Sequence, residues 1–307
     1  MKKILICGSI NVDMTIGLDH SPLPGETVTA NRLEYNSGGK GANQACAVGK
    51  LSALKPSFFA SIGNDTFKDK IFKQLDMCGV DRSNINVIKN VPTGIAVVSI
   101  DKNGENSIIV CPNANQYTNS KYFHSLENNI NEYSYMILQN EIPLETNLYL
   151  MRLASKAGVK VIYNPAPALD NFPISCFKYV DYLTPNQTEL SSLISKRGSI
   201  AFKAHELLKL GVKNVIVTLG KNGSYYTNID ESFTVDGFKV NAVDTVAAGD
   251  TFNGALAVAL NNNLEIKEAL KFASAASALT VTKKGAISSI PSLVEVEDFL
   301  KQTNEVN

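Results

Sequence analysis

Residues 159–167 read VKVIYNPAP, a short run of apolar and β-branched residues that ends in the polar residue Asn164. Three similar runs occur along the chain: YSYMILQN at 133–140, VDYLTPN at 180–186 and KNVIVTLG at 213–220. Each follows a segment with the amphipathic spacing of a helix. Strands that alternate with helices are typical of βαβ units. The pattern therefore predicts an α/β fold with a mainly parallel sheet that is covered by helices on both faces.

The first part of the chain has a different pattern, dominated by sheet signals. Ile4–Ile10 is an apolar run of strand length, and Thr27–Tyr35 alternates between polar and apolar residues. Residues 93–110 predict a β-hairpin with Asn103 and Gly104 in its turn. The sequence has no internal repeat and no linker rich in serine or glycine. We therefore expect one domain over residues 1–307, from which a small β-rich lobe emerges.

Composition argues against several classes of protein. The chain has 307 residues, and 29 lysine and arginine residues balance 29 aspartate and glutamate residues. This balance argues against a protein that binds mainly the phosphate backbone of a nucleic acid. The scattered cysteines predict buried, small apolar residues in a reducing compartment; they are Cys7, Cys46, Cys78, Cys111 and Cys176.

The N-terminal apolar run does not predict a secretion signal, because Asn11 and Asp13 interrupt it early. No later run approaches the roughly 18 apolar residues of a membrane span. We therefore expect a cytoplasmic protein without a membrane partner.

Polar residues follow the predicted parallel strands where each strand ends. In sheets of this class, ligands bind beyond the carboxyl ends of the strands. Topology alone therefore makes candidates of Asn140, Glu141, Asn164, Asn186 and residues 218–220.

Residues 244–260 read DTVAAGDTFNGALAVAL, which predicts a buried helix that begins near Asp250. A helix start exposes unpaired amides and the positive end of the helix dipole, and small residues let an anion approach the backbone. Ala247, Ala248 and Gly249 therefore suit a transferred phosphoryl group, and Asp250 would accept a proton from the attacking hydroxyl. The alternative for an isolated aspartate is an ordinary helix N-cap.

Two early loops carry side chains that suit a polyhydroxylated substrate. The first is GSINVD at 8–13, with Asn11 and Asp13, and the second is GGKGAN at 38–43, with Lys40 and Asn43. Their amide, carboxylate and ammonium groups are the donors and acceptors that sugar hydroxyls need. Taken alone, both loops are also ordinary turn sequences. Neither contains the glycine spacing of a P-loop or of a dinucleotide fold.

Two later loops suit a nucleotide and its magnesium ion. TPNQTEL at 184–190 places Asn186 and Glu189 at the start of a helix, where Glu189 would hold Mg²⁺ through water. Its structural alternative is a glutamate stabilised by the helix dipole. TLGKNGS at 218–224 could support a nucleotide across its glycines, or could be a simple Asn-Gly hairpin turn.

The order of these motifs resembles the ribokinase-like (PfkB-type) sugar kinases, from Ile4 to about Ile290. The matching elements are GSINVD, GGKGAN, QNEIP, NPAP, TPNQTE, TLGKNG, DTVAAGDTFNG and VTKKGA. The resemblance implies a three-layer α/β/α fold with a projecting β-sheet lid, formed here by segments about 11–36 and 93–112. It also implies ATP-dependent phosphorylation of D-ribose at O5, activation by K⁺, and a homodimer that forms through the lid.

The resemblance assigns roles to individual residues. Asp250 is the implied general base, and Ala247, Ala248 and Gly249 form the implied anion hole. The implied ribose ligands are Asn11, Asp13, Gly39, Lys40, Asn43, Glu141 and Asp250. The implied nucleotide contacts are Asn186, Thr218, Gly220, Gly223, Gly249 and Ser274. Glu189 is implied for Mg²⁺, and the implied K⁺ site is Asp244, Val246, Thr280, Lys283, Gly285 and Ser289.

Ribose is preferred as the acceptor because Asn11 offers a polar partner to its 2-hydroxyl group. The alternatives are another acceptor, such as 2-deoxyribose, fructose or adenosine, because few contacts set specificity. A third possibility is a sugar or nucleotide sensor that keeps the fold without the chemistry.

Overall fold

The computed structural model describes residues 2–103, 105–169 and 172–305. Its strands are, in chain order, β1 Lys3–Cys7, β2 Asn11–Gly17, β3 Arg32–Gly38, β4 Ser57–Gly63, β5 Ile85–Ile88, β6 Gly94–Ile100, β7 Asn106–Cys111, β8 Tyr133–Gln139, β9 Lys160–Asn164, β10 Tyr182–Leu183, β11 Asn214–Thr218, β12 Ser224–Thr227 and β13 Ser232–Val235. Its α-helices are α1 Lys40–Leu51, α2 Lys68–Met77, α3 His124–Glu127, α4 Leu144–Ala157, α5 Gln187–Leu193, α6 Ile200–Lys209, α7 Ala248–Asn261, α8 Ile266–Thr280 and α9 Leu293–Glu305.

The large sheet has nine strands in the order β13-β12-β11-β10-β9-β8-β1-β4-β5. Neighbours from β11 through β5 pair in parallel, whereas β12 pairs antiparallel with both β11 and β13. Helices cover both faces of this sheet. Alternate side chains of a strand point to opposite faces, so each strand contributes to two cores. Ile4 and Ile6 of β1 join the core under α1 and α7, whereas Leu5 and Cys7 join the core under α4. The predicted α/β fold with a mainly parallel sheet is confirmed.

A separate small sheet has four strands in the order β3-β2-β6-β7. All four strands come from the early segments that the sequence assigned to a β-rich lobe. The hairpin prediction is confirmed, because β6 and β7 pair antiparallel. Of its predicted turn, Asn103 donates its backbone N–H to Asp101 Oδ1 at 2.8 Å, whereas Gly104 lies outside the described residues.

Two strand boundaries differ from the predictions. The predicted strand Thr27–Tyr35 is shifted, because β3 begins only at Arg32. Its pairing partner β2 ends at Gly17, opposite Arg32, so residues 27–31 have no strand to pair with. The apolar run from Ile4 also stops pairing early, and β1 ends at Cys7. Among the described residues, no helix is both long enough and apolar enough to cross a bilayer.

Candidate active site

Helix α1 begins directly against the end of β1, which brings its polar first turn to the carboxyl edge of the large sheet. Two glycines permit this approach: a Cβ on Gly41 would lie 2.5 Å from the carbonyl carbon of Gly8. Ala42 then donates its backbone N–H to Ser9 O at 2.9 Å. This packing places Lys40, together with the rest of the GGKGAN loop, beside the start of α7.

Asp250 lies in the first turn of α7, and its carboxylate is almost fully buried. Asn43 Nδ2 donates to Asp250 Oδ2 at 2.9 Å, and Gln44 Nε2 donates to Asp250 Oδ1 at 2.9 Å. The N-cap position belongs to Ala247, which has a left-handed backbone with φ of 62°. The alternative that Asp250 is a simple N-cap is therefore wrong, because its carboxylate is bound by α1.

The first turn of α7 offers amides to an anion. Thr251 N–H donates to Ala247 O at 2.8 Å, but the N–H groups of Gly249 and Asp250 have no acceptor within the described part of the chain. A Cβ on Gly249 would meet open space, so the backbone here is accessible. Unpaired amides at the positive end of a helix dipole suit a phosphoryl group.

Four carboxylates from different parts of the chain lie near Lys40: Asp13, Glu141, Glu189 and Asp250. Glu141 Oε2 accepts the backbone N–H of Lys40 at 3.0 Å and also the hydroxyl of Ser9, so it ties the end of β8 to the start of α1. Burial lowers the pKa of the Lys40 ammonium, but Asp250, Glu141 and other carboxylates outweigh that effect and raise it. Lys40 is therefore held as a cation among these carboxylates.

At Asp13 on β2, burial and repulsion from nearby carboxylates outweigh the attraction of Lys40. Burial is the largest cause that raises its pKa, Glu141 and Asp250 add repulsion, and Lys40 opposes them, so that the pKa rises from 3.8 to about 7. Its carboxylate packs against the backbone of Gly38, where a Cβ would lie 2.0 Å from Asp13 Oδ2. An acceptor that titrates near neutral pH therefore faces the same space as Asp250.

Asn11 lies at the start of β2 and lines a cleft of about 420 Å³, together with Asn115, Asn140 and Glu141. Asn11 is buried, and its Oδ1 accepts from Asn115 Nδ2 at 2.8 Å. Gly39, another predicted sugar ligand, is a packing glycine with φ of 91°, and a Cβ there would lie 2.7 Å from Asn11 N.

The predicted nucleotide residues Asn186 and Thr218 are neighbours on adjoining strand ends, joined by an isolated β-bridge. Asn186 and Glu189 form a capping box: Glu189 N–H donates to Asn186 Oδ1 and Asn186 N–H donates to Glu189 Oε2, both at 2.8 Å. Glu189 therefore lies in the first turn of α5, the position that its structural alternative requires. Burial raises the pKa of Glu189, a backbone hydrogen bond and Lys40 lower it, and Asp250 adds to the rise. Glu189 is therefore within electrostatic reach of Lys40 and Asp250.

The two glycines of the 218–224 turn have different surroundings. The turn does connect antiparallel strands, β11 and β12, as the hairpin interpretation expects. Gly220 has φ of 59° and open space beside it, which suits contact with a ligand. Gly223 has φ of 88°, and a Cβ there would lie 2.0 Å from Val235 O. The glycine at 223 is therefore explained by strand packing.

Replacing Gly223 with alanine should lower the free energy of unfolding by more than about 2 kcal/mol, because a side chain is strained at its φ of 88° and ψ of −128° and would also clash with β13. Gly220→Ala is the comparison: its φ of 59° also strains an L-residue, but nothing lies within 4 Å of the added Cβ, so it should cost only about 1 kcal/mol. Urea unfolding of both variants measures the difference. Equal losses would show that packing against β13 does not matter.

Ser274, another predicted nucleotide contact, lies on α8. It is buried, and its Oγ has no hydrogen-bond partner in the described ranges. The neighbouring Ser277 Oγ donates to Ala248 O at 3.0 Å, which fixes α8 against the start of α7.

Of the residues predicted to bind K⁺, Asp244 contacts Val246 and Gly285, whereas Thr280 is the last residue of α8. Asp244 Oδ1 accepts from Val246 N at 3.1 Å, and Asp244 Oδ2 accepts from Gly285 N at 2.9 Å. Lys283 N–H and the Ser289 hydroxyl are already bonded to the carbonyls of Thr280 and Ala286. The part of the chain that the structure describes has no group of three or more His, Cys, Asp or Glu suited to a metal ion. A cation here would depend on one carboxylate and backbone carbonyls.

The whole chain is similar to known kinases. Residues 1–293 match the model of the pfkB family carbohydrate kinases. The chain belongs to this family. It is 39% identical to a ribokinase of Schizosaccharomyces pombe over 97% of both chains.

Solved structures of ribokinases are also similar to this chain. A ribokinase from Thermotoga maritima has a TM-score of 0.91 and 40% identity, covering 98% of this chain and 100% of that one. An Arabidopsis thaliana ribokinase complexed with ribose and ATP has a TM-score of 0.91 and 34% identity, covering 98% and 99%. The resemblance that the motifs carried is therefore confirmed, as is the fold that it implied.

Sequence motifs missed several residues of this pfkB-family site. Gln44 and Gln139 are fully buried, and Gln139 Nε2 donates to Gln44 Oε1 at 2.7 Å, so the two amides form a chain that ends on Asp250. Ser9 and Asn115 hold Glu141 and Asn11 respectively. Gln44 was visible as the residue after GGKGAN, but nothing in the sequence showed which atom it contacts.

Proposed function

We propose that this chain transfers the γ-phosphoryl group of ATP to O5 of D-ribose and so forms D-ribose 5-phosphate. The observation that carries the proposal is the placement of Asp250. A buried carboxylate, oriented by Asn43 and Gln44, stands beside the free amides of α7. This arrangement couples a base for the attacking hydroxyl to a cradle for the phosphoryl group.

The mechanism divides between two sides of α7. Asn11, Asp13 and Glu141 bind the sugar hydroxyls, so that O5 points toward the carboxylate. Asp250 accepts the O5 proton while O5 attacks the γ-phosphorus in line, and ADP leaves. The amides of Gly249 and Asp250, with the Lys40 ammonium, stabilise the charge that develops on the transferred phosphoryl group.

The nucleotide would lie on the other side, with Asn186, Thr218 and Gly220 along it and Ser274 toward its base. Glu189 fits a magnesium ion bound through water, because its Oε1 is not used by the capping box. Magnesium, when bound, neutralises phosphate charge. The Asp244 loop fits K⁺, whose role would be to order the residues before Ala247.

We also propose that the small sheet acts as a lid over the sugar and pairs with that of a second copy. Its edge strands expose apolar side chains that include Leu33 and Tyr35 on β3 and Ile108 and Ile109 on β7. Exposed edges with apolar residues favour association. A monomer in analytical ultracentrifugation at micromolar concentration would contradict this assignment.

A cytoplasmic location is proposed from the thiols. All five cysteines are unpaired, and four of them are buried. Unpaired buried thiols suit a reducing compartment. Fractionation of the source cells with a membrane marker tests the location, and recovery outside the cytoplasm would contradict it.

The deciding experiment follows ADP release with ribose, 2-deoxyribose, fructose and adenosine, in the presence of magnesium and of either sodium or potassium. We expect the highest kcat/KM for ribose and a higher rate in potassium. Preference for another acceptor would retain the role of Asp250 and overturn the choice of ribose. Binding of sugar or nucleotide without turnover would favour a sensor. Equal rates in sodium and potassium would remove the K⁺ assignment.

A further inference from the structure

A pair of buried amides lies at the base of the small sheet, where the chain leaves β1. Asn11 begins β2, and Asn115 lies in a 3₁₀ turn, Asn113–Tyr117, after β7. Both side chains are at most 2% exposed, and Asn115 Nδ2 donates to Asn11 Oδ1 at 2.8 Å. No motif in the sequence indicated Asn115.

The backbone of Ile10 determines which way the Asn115 amide faces. Ile10 N–H donates to Asn115 Oδ1 at 2.9 Å, and Asn115 Nδ2 donates to Ile10 O at 3.2 Å. The opposite orientation would set donor against donor and acceptor against acceptor, which is costly in a buried site. Asn115 therefore directs an N–H group toward Asn11. The Asn11 side chain must then face Asn115 with Oδ1, which accepts this hydrogen bond.

This constraint leaves Asn11 Nδ2 as the atom available to a ligand. Nδ2 has no acceptor among the described residues, and Asn11 lines the same cleft as Glu141. Asn11 is therefore held as a hydrogen-bond donor toward the sugar side.

Packing prevents the pair from rotating away. Gly94, the first residue of β6, pairs with Asn11 in the small sheet. A Cβ on Gly94 would lie 2.3 Å from both Asn11 Oδ1 and Asn115 Nδ2. The space that a side chain would occupy is filled by the two amides.

We propose that Asn115 is a positioning residue that sets the preference for a sugar with a 2-hydroxyl group, because it holds Asn11 as a fixed donor to that oxygen. The inference rests on the proposed function and extends it to the source of specificity. A buried donor that cannot turn away is left unpaired by the 2-deoxy sugar, and unpaired donors reject such analogues more strongly than apolar pockets do.

The test uses Asn115→Leu, which removes both the donor and the acceptor, and Gly94→Ala, which displaces the amide pair while keeping every polar group. We expect each to lower kcat/KM for ribose by about 5- to 100-fold through KM. With 2-deoxyribose, the change should be less than about threefold. Asn11→Ala should behave in the same way, and the double variant Asn11→Ala/Asn115→Leu should lose nothing more.

The matched control is Asn113→Asp in the same 3₁₀ turn. Asn113 Nδ2 donates to Thr93 O at 3.0 Å, so this change removes an amide donor that does not touch Asn11, and the sugar preference should remain. Equal losses for both sugars, additive losses in the double variant, or the same effect from Asn113→Asp would overturn the inference. If Asn115→Leu does not fold, Gly94→Ala decides.

Calorimetric binding of ribose and 2-deoxyribose separates this inference from the proposed function. A wild-type protein that binds ribose more tightly but has no turnover would contradict the kinase assignment and preserve the role of Asn115. A wild-type protein that binds both sugars equally would overturn the role of Asn115, whatever its turnover.

Discussion

Asp250→Ala should reduce kcat by about 10²- to 10⁴-fold, the range expected when a general base is removed. The apparent KM values for ribose and ATP should change by less than about tenfold, because Asn11, Asp13 and Glu141 on the sugar side remain. The free amides of α7 also remain. The residual rate therefore measures the catalysis that these amides provide when the base is absent. Steady-state kinetics with both substrates varied, together with binding measurements, give the separation.

Two further variants sharpen this prediction. Asp250→Asn keeps the volume but turns one amide N–H toward the donor of Asn43 or Gln44, so we expect the same loss of kcat with lower thermal stability. Asp69→Ala is the matched control, because Asp69 also lies in the first turn of a helix, α2, with its side chain 91% exposed. Asp69→Ala should leave kcat unchanged. A kcat for Asp250→Ala near that of the wild type would remove Asp250 from the mechanism.

The sequence predicted those parts of the site that depend on local pattern. The strand ends carry Asn140, Glu141, Asn186 and Thr218 because strand periodicity, read along the chain, indicates where parallel strands stop. The start of α7 was visible in the change from small residues to a long apolar run. These features are set by neighbours in sequence, and the family resemblance then assigned roles to them.

Contacts between distant segments were not predictable in this way. Asn43 and Gln44 bind Asp250 across 207 and 206 residues of sequence, and Asn115 binds Asn11 across 104. Periodicity carries no information on such pairs, which depend on how α1 and the 3₁₀ turn pack. The start of β3 was misplaced for a related reason, since its boundary is set by the end of its partner β2.

Asp13→Asn should weaken ribose binding and at the same time stabilise the protein above neutral pH. In the proposed function the carboxylate accepts hydrogen bonds from sugar hydroxyls, so its loss should raise KM for ribose by about 5- to 100-fold with little change in kcat. Because burial, Glu141 and Asp250 raise the pKa of Asp13 to about 7, the wild-type KM for ribose should also rise as the pH falls below that value. The variant should lack this dependence.

The sign of the stability effect follows from the same pKa. Between the unfolded value of 3.8 and the folded value of about 7, the folded protein holds a proton on Asp13 that the unfolded chain has released. The free energy of unfolding therefore falls as the pH rises through this window, and the wild type should lose on the order of 1–3 kcal/mol between pH 5 and pH 8 through this group. Asparagine does not titrate, so the Tm of Asp13→Asn relative to the wild type should be higher at pH 8 than at pH 5.

Asp19→Asn is the matched control, because Asp19 follows the same strand but is exposed. A Tm difference for Asp13→Asn that is equal at both pH values would show that Asp13 is ionised throughout. Lys40 would then be the cation that balances the negative charges of Asp13, Glu141 and Asp250. A stabilised variant with weakened ribose binding would instead show that the site keeps a repelling carboxylate, at a cost in stability, because the sugar needs the acceptor.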